Sequence, residues 1–276
     1  AVENPDQMGA PYTPVTRLEN SPYKLEYDRQ IWEPRNYDGK FSEPLPLFFA
    51  LKESKNVPTA RLAVDLGLDK VINTARALGI ESPLKEYPSI SLGAFELKPL
   101  EVLKAYNTLS QLGLKQELQI VKLVNNIRGD TLYAHDPFSE QVGEKADYAV
   151  LIGMMKETLI SGTGAYSRKM GFRHIAAGKT GTTSDTRDAW FAGFTPFHSA
   201  IVWVGYDDGT PHKLTGASGA LPIWTNYMRE VSKQYANREF DYPENVHRET
   251  YTIEKMLELG IPEAKIKDTE LIFKND

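Results

Sequence analysis

Apolar residues recur at intervals of three and four in four stretches of the chain, a spacing typical of helices with one buried face. Proline and glycine stand where several of these helices should begin or end, because proline fits a first helical turn and glycine favours the turn after the last. The pattern predicts helices at about residues 59–79, 99–113, 146–160 and 221–235.

The pattern changes between the last two helices to short runs rich in β-branched and aromatic residues. These runs cover residues 172–177, 188–194 and 199–206. Turn residues separate them so closely that we expect successive antiparallel strands. A smaller hairpin is predicted from residues 119–125 and 131–135. Helices followed by clustered antiparallel strands and a further helix predict an α+β fold.

The two ends of the chain differ from its middle. Residues 1–46 are rich in Pro, Asn, Asp and Tyr, which predicts an extended, turn-rich connector. Residues 237–276 are polar, and we expect them to form a peripheral C-terminal extension. The main domain is therefore predicted to cover residues 1–236, with the connector as its first part.

Composition narrows the possible functions. The 276 residues include 32 Lys and Arg against 37 Asp and Glu, a formal net charge of −5, so nucleic acid is not an expected partner. The chain has no Cys and its five His lack metal-ligand spacing, and we expect no metal and no cofactor. No apolar run reaches the ~18 residues of a membrane span. The start at Ala1 has no signal-peptide pattern, and we expect the chain to be part of a longer protein.

The most informative motif is Lys179-Thr180-Gly181-Thr182-Thr183, which follows a predicted strand. A lysine flanked by hydroxyl groups can hold an anion such as a carboxylate, and glycine permits close approach of a ligand to the backbone. Taken alone, the motif could also be a solvated edge strand. A phosphate-binding loop is excluded, because that motif needs glycine where Arg173 stands and a helix where a strand is predicted.

Longer stretches in the same order make the interpretation more specific. Upstream are a string from Trp32 to Lys40 and the sequence Ser54-Lys55-Asn56-Val57-Pro58. Downstream are Asp188-Ala189-Trp190-Phe191-Ala192-Gly193-Phe194 and Trp203-Val204-Gly205-Tyr206-Asp207. From about residue 11 to 230, these stretches resemble the transpeptidase domain of class A penicillin-binding proteins, in particular its 1B-type branch.

The resemblance implies a penicillin-binding transpeptidase fold, similar to serine β-lactamases, with an antiparallel sheet flanked by helices. By match to the family motifs, Ser54 would relay a proton to the leaving amine and Asn56 would bind the acyl side-chain amide. Lys179 would supply positive potential to the substrate carboxylate. Thr180 and Thr182 would hydrogen-bond that carboxylate, and the Thr182 N–H would form half of an oxyanion hole. The substrate-binding set is completed by Gly181 and Thr183. From the residues alone, Ser54 and Asn56 could instead cap a helix.

The chain departs from the family at the nucleophile, which belongs to a helical Ser-x-x-Lys motif. That motif should precede the connector sequence that is here Tyr12-Thr13-Pro14. The bare pattern occurs at Ser21 to Lys24 and at Ser82 to Lys85. Proline follows the serine in both, and the second match lies after the Ser-x-Asn motif. We expect neither serine to be the nucleophile, and we expect this chain alone to be inactive.

The resemblance thus implies a peptidoglycan D,D-transpeptidase that cross-links stem peptides by serine acyl transfer and is acylated by β-lactam antibiotics. It also implies an upstream glycosyltransferase domain, a membrane anchor, and a position at the periplasmic face of the bacterial inner membrane. Two alternatives stay open. One is a D,D-carboxypeptidase or β-lactamase, which uses water as the acceptor; the other is a non-catalytic cell-wall binding or scaffold domain.

Overall fold

A computed structural model of the chain describes residues 11–275, so residues 1–10 of the predicted connector and Asp276 lie outside the described residues. The helices are α1 Leu47–Lys52, α2 Asn56–Leu66, α3 Leu68–Ala77, α4 Pro99–Ser110, α5 Lys145–Ile160, α6 Tyr166–Lys169, α7 Leu221–Val231 and α8 Ile253–Glu258. Across residues 11–275, none of the helices combines the length and the apolar character that crossing a membrane requires.

The strands are mostly short. They are β1 Arg17–Leu18, β2 Leu25–Tyr27, β3 Gln30–Trp32, β4 Leu45–Pro46, β5 Leu114–Gln116, β6 Leu123–Asn125, β7 Thr131–Ala134, β8 Ser139–Gln141, β9 Ala177–Thr182, β10 Asp188–Phe194, β11 Ser199–Gly205, β12 Val246–Tyr251 and β13 Thr269–Lys274. The largest sheet has the order β11-β10-β9 and is antiparallel throughout. The other strands form antiparallel pairs. The predicted α+β fold with a helix-flanked antiparallel sheet is confirmed.

Helix α5 is the centre of the larger hydrophobic core. Its side chains are buried on nearly all sides, which is expected of a helix that packs against several elements rather than facing water. It contacts α1, strand β9 and strand β13. Strand β9 is therefore held against α5 along its length.

Helix α7 covers the opposite face of the three-stranded sheet. Trp224 of α7 is fully buried against Phe191 and Phe172, with ring centroids 4.8 and 5.3 Å away. Its indole N–H donates to the carbonyl oxygen of Ala200 at 3.1 Å, so the polar edge of this buried ring is satisfied. The sheet consequently lies between two helical layers.

The predicted helix at 59–79 is two helices. Gly67 separates α2 from α3 and has φ of 101°, a backbone conformation that glycine adopts without the steric cost of a Cβ atom. The apolar spacing continues through this break, which is why the pattern suggested one helix. The predicted hairpin at 119–135 is confirmed as β6 and β7, although both strands are shorter than expected.

The predicted strand at 172–177 is wrong, because the strand begins only at Ala177 and continues through the lysine motif to Thr182. In residues 172–176, the backbone is hydrogen-bonded by side chains rather than by a neighbouring strand. The Arg168 guanidinium donates to the carbonyl oxygens of Phe172 and His174. The Ile175 N–H donates to the Asn237 side chain at 2.7 Å.

The expectation that residues 237–276 are peripheral is also wrong. Leu271 and Ile272 of β13 are buried in the core against α5, and Phe240, Met256 and Ile261 are buried with them. Close approach depends on Gly153 in α5, where a Cβ would lie 2.7 Å from Ile272 Cγ1. The polar composition of this segment reflects its many exposed positions, whereas the five apolar residues named above point inward.

We predict that Leu271→Ala lowers the free energy of unfolding by about 3 kcal/mol, since it removes a side chain with 0% exposure and leaves a cavity beside α5. Leu257→Ala serves as the control, because this residue of the same segment is 49% exposed and the change should cost less than about 0.5 kcal/mol. Urea denaturation of both variants measures the difference. Equal, small effects would mean that the segment does not contribute to the core.

Candidate functional site

The predicted site residues come from two parts of the chain that meet between α1 and β9. Ser54 lies in the tight junction between α1 and α2, where its φ is 54°. This left-handed conformation is unfavourable for a residue other than glycine, and such residues cluster at functional sites. The N–H groups of Ser54 and Lys55 donate to the carbonyl oxygens of Leu51 and Ala50, which fixes the junction.

Lys179 of β9 points at this junction. Its Nζ atom donates to Ser54 Oγ at 2.7 Å and to the carbonyl oxygen of Thr180 at 3.0 Å. Burial disfavours the charged ammonium and lowers the pKa of Lys179 to about 8. An ammonium so poorly hydrated gains strongly from an anion placed next to it, and Ser54 retains its hydroxyl proton to donate to the same ligand.

The rest of the lysine motif presents hydroxyl groups along β9. The Thr180 Oγ1 atom lies 2.8 Å from Thr163 Oγ1, and Thr182 Oγ1 accepts from the Gly216 N–H at 3.0 Å. A Cβ at Gly181 would lie 3.2 Å from Trp190 Cβ, so a larger residue there would press on this neighbour.

Thr183 faces the following turn. It accepts from the Asp188 N–H at 2.8 Å and donates to the Asp188 carboxylate at 3.1 Å. The structure thus brings Ser54 together with Lys179 and places Thr180 beside them, while the Thr183 side chain is tied to the β9–β10 turn.

Asn56 binds the connector. Its side-chain N–H donates to the carbonyl oxygen of Arg35 at 2.8 Å, and the adjacent Lys55 forms an ion pair with Asp38 at 2.6 Å. Asn56 is the first residue of α2, and the side chains of Ser54 and Asn56 bond elsewhere, so the alternative interpretation of these two residues as helix caps has no support. The connector therefore forms one wall beside the Ser54 junction.

Sequence reasoning missed two residues that support the site. Asn36 is buried and accepts from the Val57 N–H at 3.1 Å while donating to Asn20 at 2.7 Å, which anchors the connector to the start of α2. Thr163 bridges α5 to Thr180. Asn36 lies within the string from Trp32 to Lys40 and Thr163 lies within a Gly-Thr-Gly sequence, and these two short motifs are the sequence signals that point to them.

The two serines with a bare Ser-x-x-Lys pattern lie outside helices. Ser21 Oγ accepts from Arg61, and Lys24 forms an ion pair with Glu33 at 2.7 Å. Ser82 donates its backbone N–H to the Glu101 carboxylate. In neither case does the structure join the serine to the lysine three residues later.

An apolar cavity of about 250 Å³ lies elsewhere, next to α1 and α5. Leucine side chains dominate its lining, with Leu47, Leu62 and Met154 among them. None of the predicted site residues lines it. The cavity offers apolar contacts, whereas the junction of Ser54 and Lys179 offers charge and hydrogen-bond donors, so the chemistry belongs to the junction.

Comparison with known proteins gives the family. The family described as penicillin binding protein transpeptidase domain matches residues 12–228. Penicillin-binding protein 1B of Vibrio cholerae is 38% identical over 83% of this chain, and penicillin-binding protein 1A of Aquifex aeolicus is 32% identical over 91%. The chain spans 29% and 35% of the length of these two relatives.

Solved structures agree in fold. Penicillin-binding protein 1A of Haemophilus influenzae superposes with a TM-score of 0.84 over 99% of this chain and 45% of that chain, at 20% identity. PonA1 of Mycobacterium tuberculosis, solved in complex with penicillin V, gives a TM-score of 0.73 over 82% of this chain and 66% of that chain, at 25% identity. The structures agree in fold, and the family match over residues 12–228 together with the relatives at 38% and 32% identity shows that the chain belongs to the transpeptidase domain family of class A penicillin-binding proteins.

Proposed function

We propose that this chain forms the substrate-binding part of a peptidoglycan D,D-transpeptidase, in which a serine is acylated by a stem peptide and the acyl group passes to an amine of a second stem. The observation that carries the proposal is the contact between half-buried Lys179 and Ser54. It combines positive potential with a hydroxyl group that can pass on a proton, which acyl transfer to an amine requires.

Most of the site residues would bind the substrate, and Ser54 would transfer a proton. Lys179, Thr180 and Thr182 would hold the terminal carboxylate of the substrate, and the Thr182 N–H would contribute to an oxyanion hole. Ser54 would relay a proton to the leaving amine. Asn56 would bind the acyl side-chain amide, for which it must exchange its contact with Arg35 or use its free amide oxygen. Gly181 would keep the backbone accessible to the ligand.

The nucleophile is proposed to come from residues other than those described. Within residues 11–275, both serines of a bare Ser-x-x-Lys pattern lie in bends and have partners other than the required lysine. Proton transfer within a Ser-x-x-Lys motif requires both side chains on one face of a helix. We therefore propose that the acylated serine belongs to a Ser-x-x-Lys segment of the longer protein and that this chain alone is inactive.

The wider setting follows from the relatives. Since the curated relatives are two to three times longer, we propose an upstream glycosyltransferase domain and a membrane anchor, with this domain on the periplasmic face of the bacterial inner membrane. Peptidoglycan stem peptides and β-lactams would be its ligands, which the penicillin V complex of the similar PonA1 supports. Identity to the Vibrio cholerae protein favours the 1B-type branch.

Covalent modification by penicillin tests the proposed position of the nucleophile. After incubation with penicillin G, the 276-residue chain should keep its unmodified mass, while the complete protein should gain one penicilloyl group. Intact-mass spectrometry followed by peptide mapping measures both. A penicilloyl adduct on the 276-residue chain would contradict the proposed position of the nucleophile, and an adduct on Ser21 would identify that residue instead.

The pH dependence of ligand binding tests the role proposed for Lys179. Burial places the pKa of Lys179 near 8, so the ammonium that attracts a carboxylate is present below this pH and lost above it. The dissociation constant of penicillin G from the 276-residue chain should rise as pH increases through 8, and NMR titration measures it. Lys179→Met should weaken binding about tenfold or more at pH 7 and remove the pH dependence.

Lys233→Met is the matched control for this measurement, since Lys233 is an exposed lysine of the α7 region paired with Glu230. It should leave both the affinity and the pH profile unchanged. A wild-type affinity that stays constant from pH 7 to 9.5 would show that Lys179 does not bind the carboxylate.

A further inference from the structure

Thr163 connects three elements at the back of the site. It follows α5 in the turn after Ile160, and its N–H donates to the carbonyl oxygen of Lys52 at 3.3 Å. Lys52 is the last residue of α1, where carbonyl groups lack an intrahelical partner, so Thr163 satisfies one of them. Its hydroxyl lies 2.8 Å from that of Thr180 in β9.

These bonds close a ring with the Lys179 contact. From Lys52 the chain reaches Ser54, Ser54 accepts from Lys179, and Thr180 follows in the same strand. Thr163 then returns from Thr180 to Lys52. The α1–α2 junction and β9 are thus tied together at two points, one through a charged group and the other through Thr163.

The Lys52 corner of the ring is rigidly packed. Lys52 is only 2% exposed, and its carbonyl oxygen and Cγ would lie 2.6 and 2.7 Å from a Cβ at Gly162. Burial lowers the pKa of the Lys52 ammonium and raises that of the Glu157 carboxyl, and the attraction between the two charges opposes both shifts. Because a Cβ at position 162 would meet Lys52, this residue must be glycine. The tight packing beside it also limits how far Thr163 can move away from Thr180.

The direction of the Thr163–Thr180 hydrogen bond decides what Thr180 can do. A threonine hydroxyl carries one proton. If Thr163 donates, the Thr180 hydroxyl proton can be donated to a ligand. If Thr180 donates, its proton is bonded to Thr163 and cannot be donated to a ligand. The neighbouring hydroxyls of Ser54 and Thr182 both accept from scaffold donors, namely Lys179 and the Gly216 N–H, and so keep their own protons.

We infer that Thr163 is a positioning residue that donates to Thr180 and so directs the Thr180 proton toward a ligand carboxylate. The inference rests on the proposed function. A chain from Thr163 through Thr180 to an anion uses both hydroxyl protons, and each bond in such a chain polarises and strengthens the next. The opposite direction would leave the Thr163 proton without an acceptor among the described residues and would present lone pairs to the anion.

The test compares a carboxylate ligand with one whose carboxylate is masked. Acylation of the complete protein is measured with penicillin G and with its methyl ester, as second-order rate constants. Thr163→Val removes the hydroxyl at nearly constant volume. It should lower the ratio of the acid rate constant to the ester rate constant about tenfold, mostly because the rate constant for the acid falls. Thr163→Ser should keep the ratio within about twofold, because the donor remains.

Two controls separate positioning from stability. Thr225→Val removes a buried threonine hydroxyl elsewhere, which bonds Leu221 within α7, and should leave the ratio unchanged even if the protein is less stable. The double variant Thr163→Val with Thr180→Val should have the ratio of Thr180→Val alone, since Thr163 acts through Thr180. If Thr163→Val does not fold, Thr163→Ala gives the same comparison.

The outcomes distinguish the inference from the proposed function. If the wild-type protein prefers the acid and Thr163→Val keeps that preference, the positioning role is wrong while the transpeptidase assignment stands. If Thr163→Ser loses the preference as Val does, the hydroxyl is not the active feature and the role is wrong. If the wild-type protein is not acylated at all, the proposed function fails and this inference fails with it.

Discussion

The structure around the site depends on one constraint, the partial burial of the Lys179 ammonium in β9. A charged amine withdrawn from water is tolerated only where oxygen atoms surround it. Ser54 Oγ and the Thr180 carbonyl oxygen supply that environment, and Ser54 can do so only because its junction holds a left-handed conformation. The pKa of Lys179 is lowered because these two oxygen atoms do not fully replace the water lost by the ammonium. The ammonium therefore has a strong preference for an anion.

Helix α5 holds in place the strand and the turn that surround Lys179. It packs along β9, contacts β13 through the gap at Gly153, and ends in the turn that carries Thr163. Core packing and site geometry are therefore properties of the same helix. This explains how a C-terminal segment beyond the family match, at residues 237–275, can matter to a site made by Ser54 and Lys179.

The sequence predicted those features that repeat along the chain or match a motif. Regular apolar spacing indicated α4, α5 and α7, and the strings around Lys179 indicated the sheet, whereas the contact between Lys179 and Ser54 is seen only in the fold. The sequence could not predict the break at Gly67, because apolar spacing continues across it, nor the core role of β13, because a few inward-facing residues are hidden in a polar composition. Thr163 was missed since a single hydroxyl contact between distant residues leaves no periodic signal.

The cost of desolvating a charged group explains why threonines rather than further lysines accompany Lys179. A second buried ammonium would raise the cost of the empty site and lower both pKa values. Neutral hydroxyls oriented by Gly216 and Thr163 add donors without adding charge. With a pKa near 8, Lys179 can lose its proton at modest cost when no anion is present and regain it as a carboxylate arrives. A single titrating group backed by oriented hydroxyls thus gives a half-buried anion site that the fold can leave empty.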